Sequence, residues 1–259
     1  MARPTSTSRA LSQNFLADRT TARRFARLAV PDGGPAPLLL EVGAGKGALT
    51  GTLAPLCREL HAYEIDPRLV SALRGRFSGT PHVRVIAGDF LAARPPRTPF
   101  SVAGNVPFSR TAAVVDWCLR APRLTDATLL TQLEYARKRT GDYGSWTRLT
   151  VLTWPHYQWR LLARVGRSSF RPVPRVDAGV VRIERRPVPL LDDAAYDSWC
   201  HLVELGFSGV GGSLQASLRR AYPRRRVDAA FRVARLDPGV LVGAAAPEQW
   251  LRLHEVLAR

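Results

Sequence analysis

Between residues 37 and 139 short apolar runs alternate with helix-length stretches, and each run ends on glycine or a polar side chain. The runs are PLLLEVGAG (37–45), ELHAYEID (59–66), HVRVIAGD (82–89) and FSVAGN (100–105). DATLLTQLEYARKR (126–139) starts as a fifth and continues into a helix. Between them, ALTGTLAPLC (48–57), PRLVSALRGRF (67–77) and RTAAVVDWCLRA (110–121) read as helices, the second with Pro67 in its first turn. Strands that alternate with helices build βαβ units, and strands apolar on both faces are buried between two helical layers. YQWRLLARV (157–165) and AGVVRIERR (178–186) add two more strands, expected as a hairpin around a long loop. The chain is therefore expected to be α/β: a Rossmann-like, doubly wound, mostly parallel sheet of seven strands.

The pattern changes at RRPVPLLDD (185–193), where Pro187 and Pro189 mark a linker. Helical segments follow: AAYDSWCHLVELGF, GSLQASLRRAY, RVDAAFRVAR and PEQWLRLHEVLAR. The expected organisation is a flexible N-terminal segment (1–12), a catalytic domain (13–186) and a small C-terminal helical domain (187–259). No run reaches the roughly 18 apolar residues of a membrane helix, and MARPTSTSRALSQNF lacks the apolar core of a secretory signal. Cys57, Cys118 and Cys200 stand far apart, without metal-ligand spacing. These features lead us to expect a cytoplasmic protein with no membrane partner and no metal.

Charge narrows the partner. There are 38 Lys and Arg against 21 Asp and Glu, a net charge of +17, and Lys46 and Lys138 are the only lysines. Arginine pairs phosphate bidentately and stacks on bases, so this excess points to a nucleic acid. The candidate contacts are Arg110, Arg137, Lys138, Arg139, Arg164, Arg167, Arg219, Arg220, Arg224, Arg225 and Arg226. Phosphate contacts of this kind make binding steeply salt-dependent.

In a doubly wound sheet, ligands collect beyond the carboxyl ends of the strands near the switch in strand order. Four notable groups close four of the runs: the glycine loop 43–47, Glu64, Asp89 and Asn105. Gly43, Gly45 and Gly47 let backbone approach a ligand closely. With Ala48 they fit the relaxed dinucleotide fingerprint, and they lack the Gly-Lys-Ser/Thr ending of a P-loop. Glu64 follows about 20 residues on, where an acid can take ribose hydroxyls, which suits NAD and S-adenosylmethionine (SAM) equally. Asp89 can accept from an adenine amino group while Phe90 lies against the ring, a pair that an NAD site does not require.

The last group is the most specific. The exocyclic amine of adenine is a poor nucleophile because its lone pair is delocalised into the ring. Two acceptors that take both of its N–H bonds favour a pyramidal, more reactive nitrogen. In GNVPF the Asn105 side-chain oxygen and the Val106 carbonyl can be those acceptors. Pro107 stiffens the loop, and Phe108 offers a face on which a flipped-out base can stack.

The ordered motifs SQNFL, EVGAGKG, YEID, AGDF and GNVPF resemble the rRNA adenine N6-dimethyltransferase superfamily. Within it, the stretch QLEYARKRTGDYGSWTRLTVLTWPHYQWRLL and the segments SFRPVPRVDAGVVRI and GFSGVGGSLQASLRRAYP resemble the Erm antibiotic-resistance methylases of large-subunit rRNA, in particular actinobacterial members. The resemblance runs from Gln13 to the late 220s. It implies a SAM-dependent methyltransferase that yields S-adenosylhomocysteine, with Asn14 and Leu16 closing over the cofactor and Gly43, Gly45 and Gly47 around its methionine part. Glu64 would hold the ribose, Ile65 would lie against the adenine, and Asp89 with Phe90 would bind the adenine edge. Asn105, Val106, Pro107 and Phe108 would receive the target adenosine, Asn105 also bordering SAM. Family members often carry Tyr at the position of Phe108, so the stacking face is kept and a hydroxyl is lost. The implied substrate is 23S rRNA, free or in ribosome precursors, modified once or twice at one adenine N6 by a monomeric enzyme. The consequence is resistance to macrolide, lincosamide and streptogramin B drugs. The alternative is a KsgA-type enzyme acting on 16S rRNA. A non-catalytic RNA-binding factor and an NAD oxidoreductase are more distant readings, because the Asn105 motif is intact and no acid/base partner for hydride chemistry stands beside it.

Overall fold

The computed structural model describes residues 14–30, 35–210 and 212–258. Its strands are β1 (Phe15–Leu16), β2 (Leu39–Val42), β3 (Leu60–Glu64), β4 (Val83–Ala87), β5 (Phe100–Asn105), β6 (Leu124–Gln132), β7 (Tyr157–Val165), β8 (Phe170–Arg171) and β9 (Ala178–Arg185). Seven of them form one sheet in the order β4-β3-β2-β5-β6-β9-β7. The first five run parallel, and β9 pairs antiparallel with β6. The chain winds outward from β2 to β4, then returns to place β5 on the other side of β2. Strand order therefore reverses between β2 and β5. This is the doubly wound sheet expected from the sequence, and the two late strands are neighbours in it.

Burial explains the middle of the sheet. All four residues of β2 are buried, and Leu39, Leu53, Leu60 and Phe170 pack into one core cluster with Phe25. Phe25 belongs to helix α1 (Arg19–Ala29), which the sequence reading did not include. Its apolar stripe is Ala22, Phe25, Ala26 and Ala29, so three of the four positions are alanines, which carry little hydrophobic signal. Asp18 starts the helix by accepting from the N–H groups of Thr20 and Thr21. The helix expected over 48–57 is shorter: α2 (Thr50–Leu53) passes into a 3₁₀ turn at Ala54–Leu56 that contains Pro55. Pro67 opens α3 (Pro67–Arg76), capped by Asp66 through the Arg68 N–H. Then come α4 (Thr111–Arg120) and α5 (Leu133–Arg139).

The chain divides into two compact units, Met1–Ala136 with Arg160–Glu184, and Arg137–Trp159 with Arg185–Arg259. The second contains α6 (Arg148–Thr153), α7 (Asp193–Phe207), α8 (Leu214–Leu218), α9 (Arg224–Ala234) and α10 (Pro247–Leu257). Its core is Trp199, Val203, Leu214, Phe231, Trp250 and Leu253. Residues 137–159, counted with the sheet in the sequence reading, belong to this helical unit. Val151 joins its core, and the Trp199 indole donates to the Leu152 carbonyl. Among the described residues no helix is long and apolar enough to cross a membrane.

The parallel pair β2/β5 carries the switch in strand order, and it admits no side chain at Gly104. A Cβ added there would sit 2.6 Å from the Val42 carbonyl oxygen and 3.0 Å from Val42 Cβ. Backbone cannot move aside as a flexible side chain can. Gly104→Ala should therefore destabilise the fold by about 1–3 kcal/mol, read as a lower urea midpoint at unchanged slope. An unchanged midpoint would show that the two strands are not held this close.

Candidate active site

Three loops meet above the strand ends. Beyond β2, Gly43 and Gly45 adopt left-handed backbone (φ +67° and +57°), and the space where a Gly43 side chain would begin is open. Beyond β5 comes the loop Val106–Phe108. The third piece is a strap: β1 pairs with β8, with Phe15 opposite Arg171 and Leu16 opposite Phe170. The strap holds the Phe15 ring against Gly45, where an added Cβ would lie 3.0 Å from the ring. The Lys46 ammonium stands 5.2 Å from the centre of that ring. The hollow so enclosed is lined by Asn14, Phe15, Gly43, Gly45, Glu64 and Asn105 through Phe108.

Glu64 ties the first loops together. It is only 2% exposed, and its carboxylate accepts from the N–H groups of Gly45 (2.7 Å), Ile65 (2.8 Å) and Asp66 (2.9 Å). A second hollow continues from it past Tyr63, Ile65, Asp89, Phe90 and Leu91 to Arg110. Phe90 forms its floor, 4% exposed, wedged between Tyr63 and the Trp117 ring at 4.4 Å. Asp89 caps the following turn through the Leu91 N–H (3.0 Å), and its other oxygen takes a 2.6 Å bond from Arg110. Arg110, expected against RNA, thus lies on the carboxylate expected to hold adenine.

The loop expected to receive the target is held in place. The Asn105 side-chain Nδ2 donates to the Asn14 carbonyl at 2.7 Å. Nitrogen and oxygen of an amide point apart, so committing Nδ2 to the strap fixes Oδ1 as the free acceptor on the other side. The Val106 N–H donates to the Leu130 carbonyl at 3.1 Å, and its own carbonyl accepts no hydrogen bond within the described residues. Pro107 (φ −53°) then turns the chain into the 3₁₀ turn Phe108–Arg110, leaving the Phe108 ring half-buried.

Most of the expected ligand residues thus meet in adjoining hollows. Leu16 is 5% exposed and borders the glycine loop while packing into the core. Gly47 lines none of these hollows. It is held in left-handed backbone (φ +75°) against α3, where a Cβ would come 2.8 Å from Leu73. The expected RNA contacts scatter. Arg137 pairs with Asp142 and stacks on Tyr143, Arg139 donates to the Thr147 hydroxyl (2.7 Å), and Arg219 pairs with Asp228 (2.5 Å). Arg224 approaches the same Asp228, Arg226 donates to the Val256 carbonyl, and the Arg167 N–H donates to Asp177. Lys138, Arg164, Arg220 and Arg225 are exposed. The sequence reading missed Phe15, Tyr63 and Glu41, although a lone acid in the otherwise apolar LLLEV was a visible signal for Glu41.

Comparison with known proteins gives the family. A family model described as ribosomal RNA adenine dimethylase matches residues 5–259. An rRNA adenine N-6-methyltransferase of Streptomyces fradiae is 63% identical over 96% of this chain and 78% of its own length. The mycinamicin-resistance protein MyrB of Micromonospora griseorubida is 39% identical over 95% of this chain and 78% of its length. The crystal structure of the 23S rRNA methyltransferase ErmE superposes with a TM-score of 0.91 at 51% identity, covering 95% of this chain and all of that one.

One group in the site is electrostatically unsettled. Glu41 is 1% exposed, it borders the glycine loop and Asn105, and its Oε2 has no hydrogen-bond partner. Burial pushes its carboxyl up to about 7, and the nearby Glu64 adds to the rise. Thr50 pulls the other way, though its hydroxyl closes no hydrogen bond of normal geometry. The folded chain therefore keeps a proton that the unfolded chain releases near pH 4.5. Glu41's contribution is whole below that pH and lost as pH rises through 7. Without methyl donor, Glu41→Gln should gain on the natural chain by about 3 kcal/mol between pH 4.5 and 8, measured by urea unfolding. A difference that does not change with pH would contradict the buried, proton-holding state.

Proposed function

Starting from the fact that the chain belongs to the ribosomal RNA adenine dimethylase family, we propose that it transfers methyl groups from SAM to the exocyclic N6 of one adenosine in 23S rRNA. The residues present fit such a donor. The hollow beside Gly43 and Gly45 has open space, and a further hollow bordering the glycine loop brings an unpartnered carboxylate oxygen on Glu41 that would suit an ammonium group. The adjoining slot between Ile65 and Phe90, ended by Asp89, has the flat apolar walls and terminal acceptor that suit adenine. Glu64 lines both the first hollow and the slot, where it would take the ribose hydroxyls. When bound, SAM supplies a methyl on a sulfonium, open to in-line displacement.

The chain's own part is to bind, orient and desolvate. Asn105 Oδ1 and the Val106 carbonyl accept the two N–H bonds of the target amine, and Phe108 stacks on its ring. No strong base is needed, because a methylated aminium is acidic and loses its proton after attack. The observation that carries this reading is the bond from Asn105 Nδ2 to the Asn14 carbonyl. It leaves an oxygen, and not a nitrogen, facing the place where an amine must give up hydrogen. The helical unit, with exposed Arg220 and Arg225, is assigned the grip on rRNA in this reading. The enzyme acts as a monomer in the cytoplasm, on free rRNA or ribosome precursors. Methylation there blocks macrolide, lincosamide and streptogramin B drugs.

Asn105→Ala should lower methyl transfer by about 10²–10³-fold, with SAM and RNA affinities nearly unchanged. Transfer that survives intact would remove the acceptor role. Expressed in a sensitive bacterium, the natural chain should raise erythromycin tolerance and create one primer-extension stop in 23S rRNA, and Asn105→Ala should do neither. A stop confined to 16S rRNA would favour the small-subunit alternative.

A further inference from the structure

Helix α1 carries a second feature besides its buried stripe. Arg19, Arg23, Arg24 and Arg27 are all exposed. At 100° per residue they fall within about 140° of one face, opposite Ala22, Phe25, Ala26 and Ala29. Among the described residues none of the four has an acidic partner, in contrast to Arg137, Arg148 and Arg160, each of which is paired. Asp18, the nearest acid in sequence to Arg19, Arg23 and Arg24, is occupied as the helix cap by the Thr20 and Thr21 N–H groups and the Thr21 hydroxyl. Four like charges within two turns oppose the helix. The fold holds them with alanine and phenylalanine packing, and only Arg27, in the last turn, is favoured by the helix dipole.

We propose that this arginine face binds the phosphate backbone of the RNA strand next to the target adenosine. The proposal rests on the RNA-methylating reading above. Its support is position as well as charge. α1 starts three residues after Leu16, so Arg19 Cα lies within about 11 Å of the strap that lines the target hollow. Side chains on a helix lean toward its N-terminus, here toward that strap. From Arg19 to Arg27 the charged face runs about 12 Å, a rail leading toward the strap beside the target hollow. An acidic membrane is the other polyanion to consider. Membrane-lying helices present apolar side chains for insertion beside their cations, whereas the apolar residues of α1 are buried in the core.

The test compares equal losses of charge in the full chain: R23Q/R24Q on α1, and R94Q/R97Q at two exposed arginines after the Phe90 turn. The quadruple variant R19Q/R23Q/R24Q/R27Q is measured alongside. Dissociation constants for a transcribed 23S rRNA fragment are taken from about 50 to 400 mM KCl, with SAM affinity and thermal midpoint as checks on folding. The slope of log affinity against log salt should fall by about 1–1.5 in R23Q/R24Q and by about 2–3 in the quadruple variant, and stay unchanged in R94Q/R97Q. Equal slopes for the two double variants would overturn the assignment. So would tighter binding of the natural chain to anionic vesicles than to RNA, lost in the α1 variants alone. A natural chain that neither binds nor methylates the fragment would instead bring down the RNA reading beneath it.

Discussion

The site depends on one carboxylate. Glu64 gathers three N–H groups, one from the glycine loop and two from the start of the loop after β3. Charged acceptors make the stronger hydrogen bonds, and a nearly buried carboxylate must be satisfied or cost several kcal/mol. Gly45 is thereby fixed, and its missing side chain admits the Phe15 ring. The ring and the β1–β8 pairing hold the strap, and the strap's Asn14 carbonyl turns the Asn105 amide. The glycine-loop hollow and the Asn105 loop are thus set by one chain of contacts that starts at Glu64. In the proposed function, residues on the cofactor side would orient an acceptor on the target side without touching the substrate base.

Charge divides the same region. Glu64 lies beneath the glycine loop with Glu41, whose carboxyl burial pushes up to about 7, and Asp89 closes the second hollow against Arg110. These acids occupy the cleft of a strongly basic chain with net charge +17. In the proposed function, such a division would favour phosphate on the outer surface over the hollow. In the proposed reaction the cationic donor and the polyanionic substrate then reach the same point along different surfaces.

Much of this was legible in the residues. Apolar runs of strand length closed by Gly, Glu, Asp and Asn gave away both the parallel sheet and the shared address of its strand ends, since period and end chemistry are local properties. Four things were not legible. α1 hid because Ala22, Ala26 and Ala29 pack closely yet score as weakly hydrophobic. The membership of 137–159 in the helical unit depends on contacts such as that of the Trp199 indole with the Leu152 carbonyl, 47 positions apart, which no window of sequence contains. The pairing of Arg110 with Asp89 spans 21 positions, so composition assigned that arginine to RNA and geometry gave it to an acid. The amide orientation at Asn105 needed Asn14 at a separation of 91.

The central claim is that the strand ends bring an activated methyl to the exocyclic amine of one adenosine. The direct measurement is mass spectrometry of nucleosides from a 23S rRNA fragment incubated with the purified chain and SAM carrying a trideuterated methyl group. The account predicts the heavy methyl on adenosine N6, at a single position, and absent when Asn105 is alanine. Label on a ring nitrogen or on ribose, or no label in RNA that is bound, would contradict it.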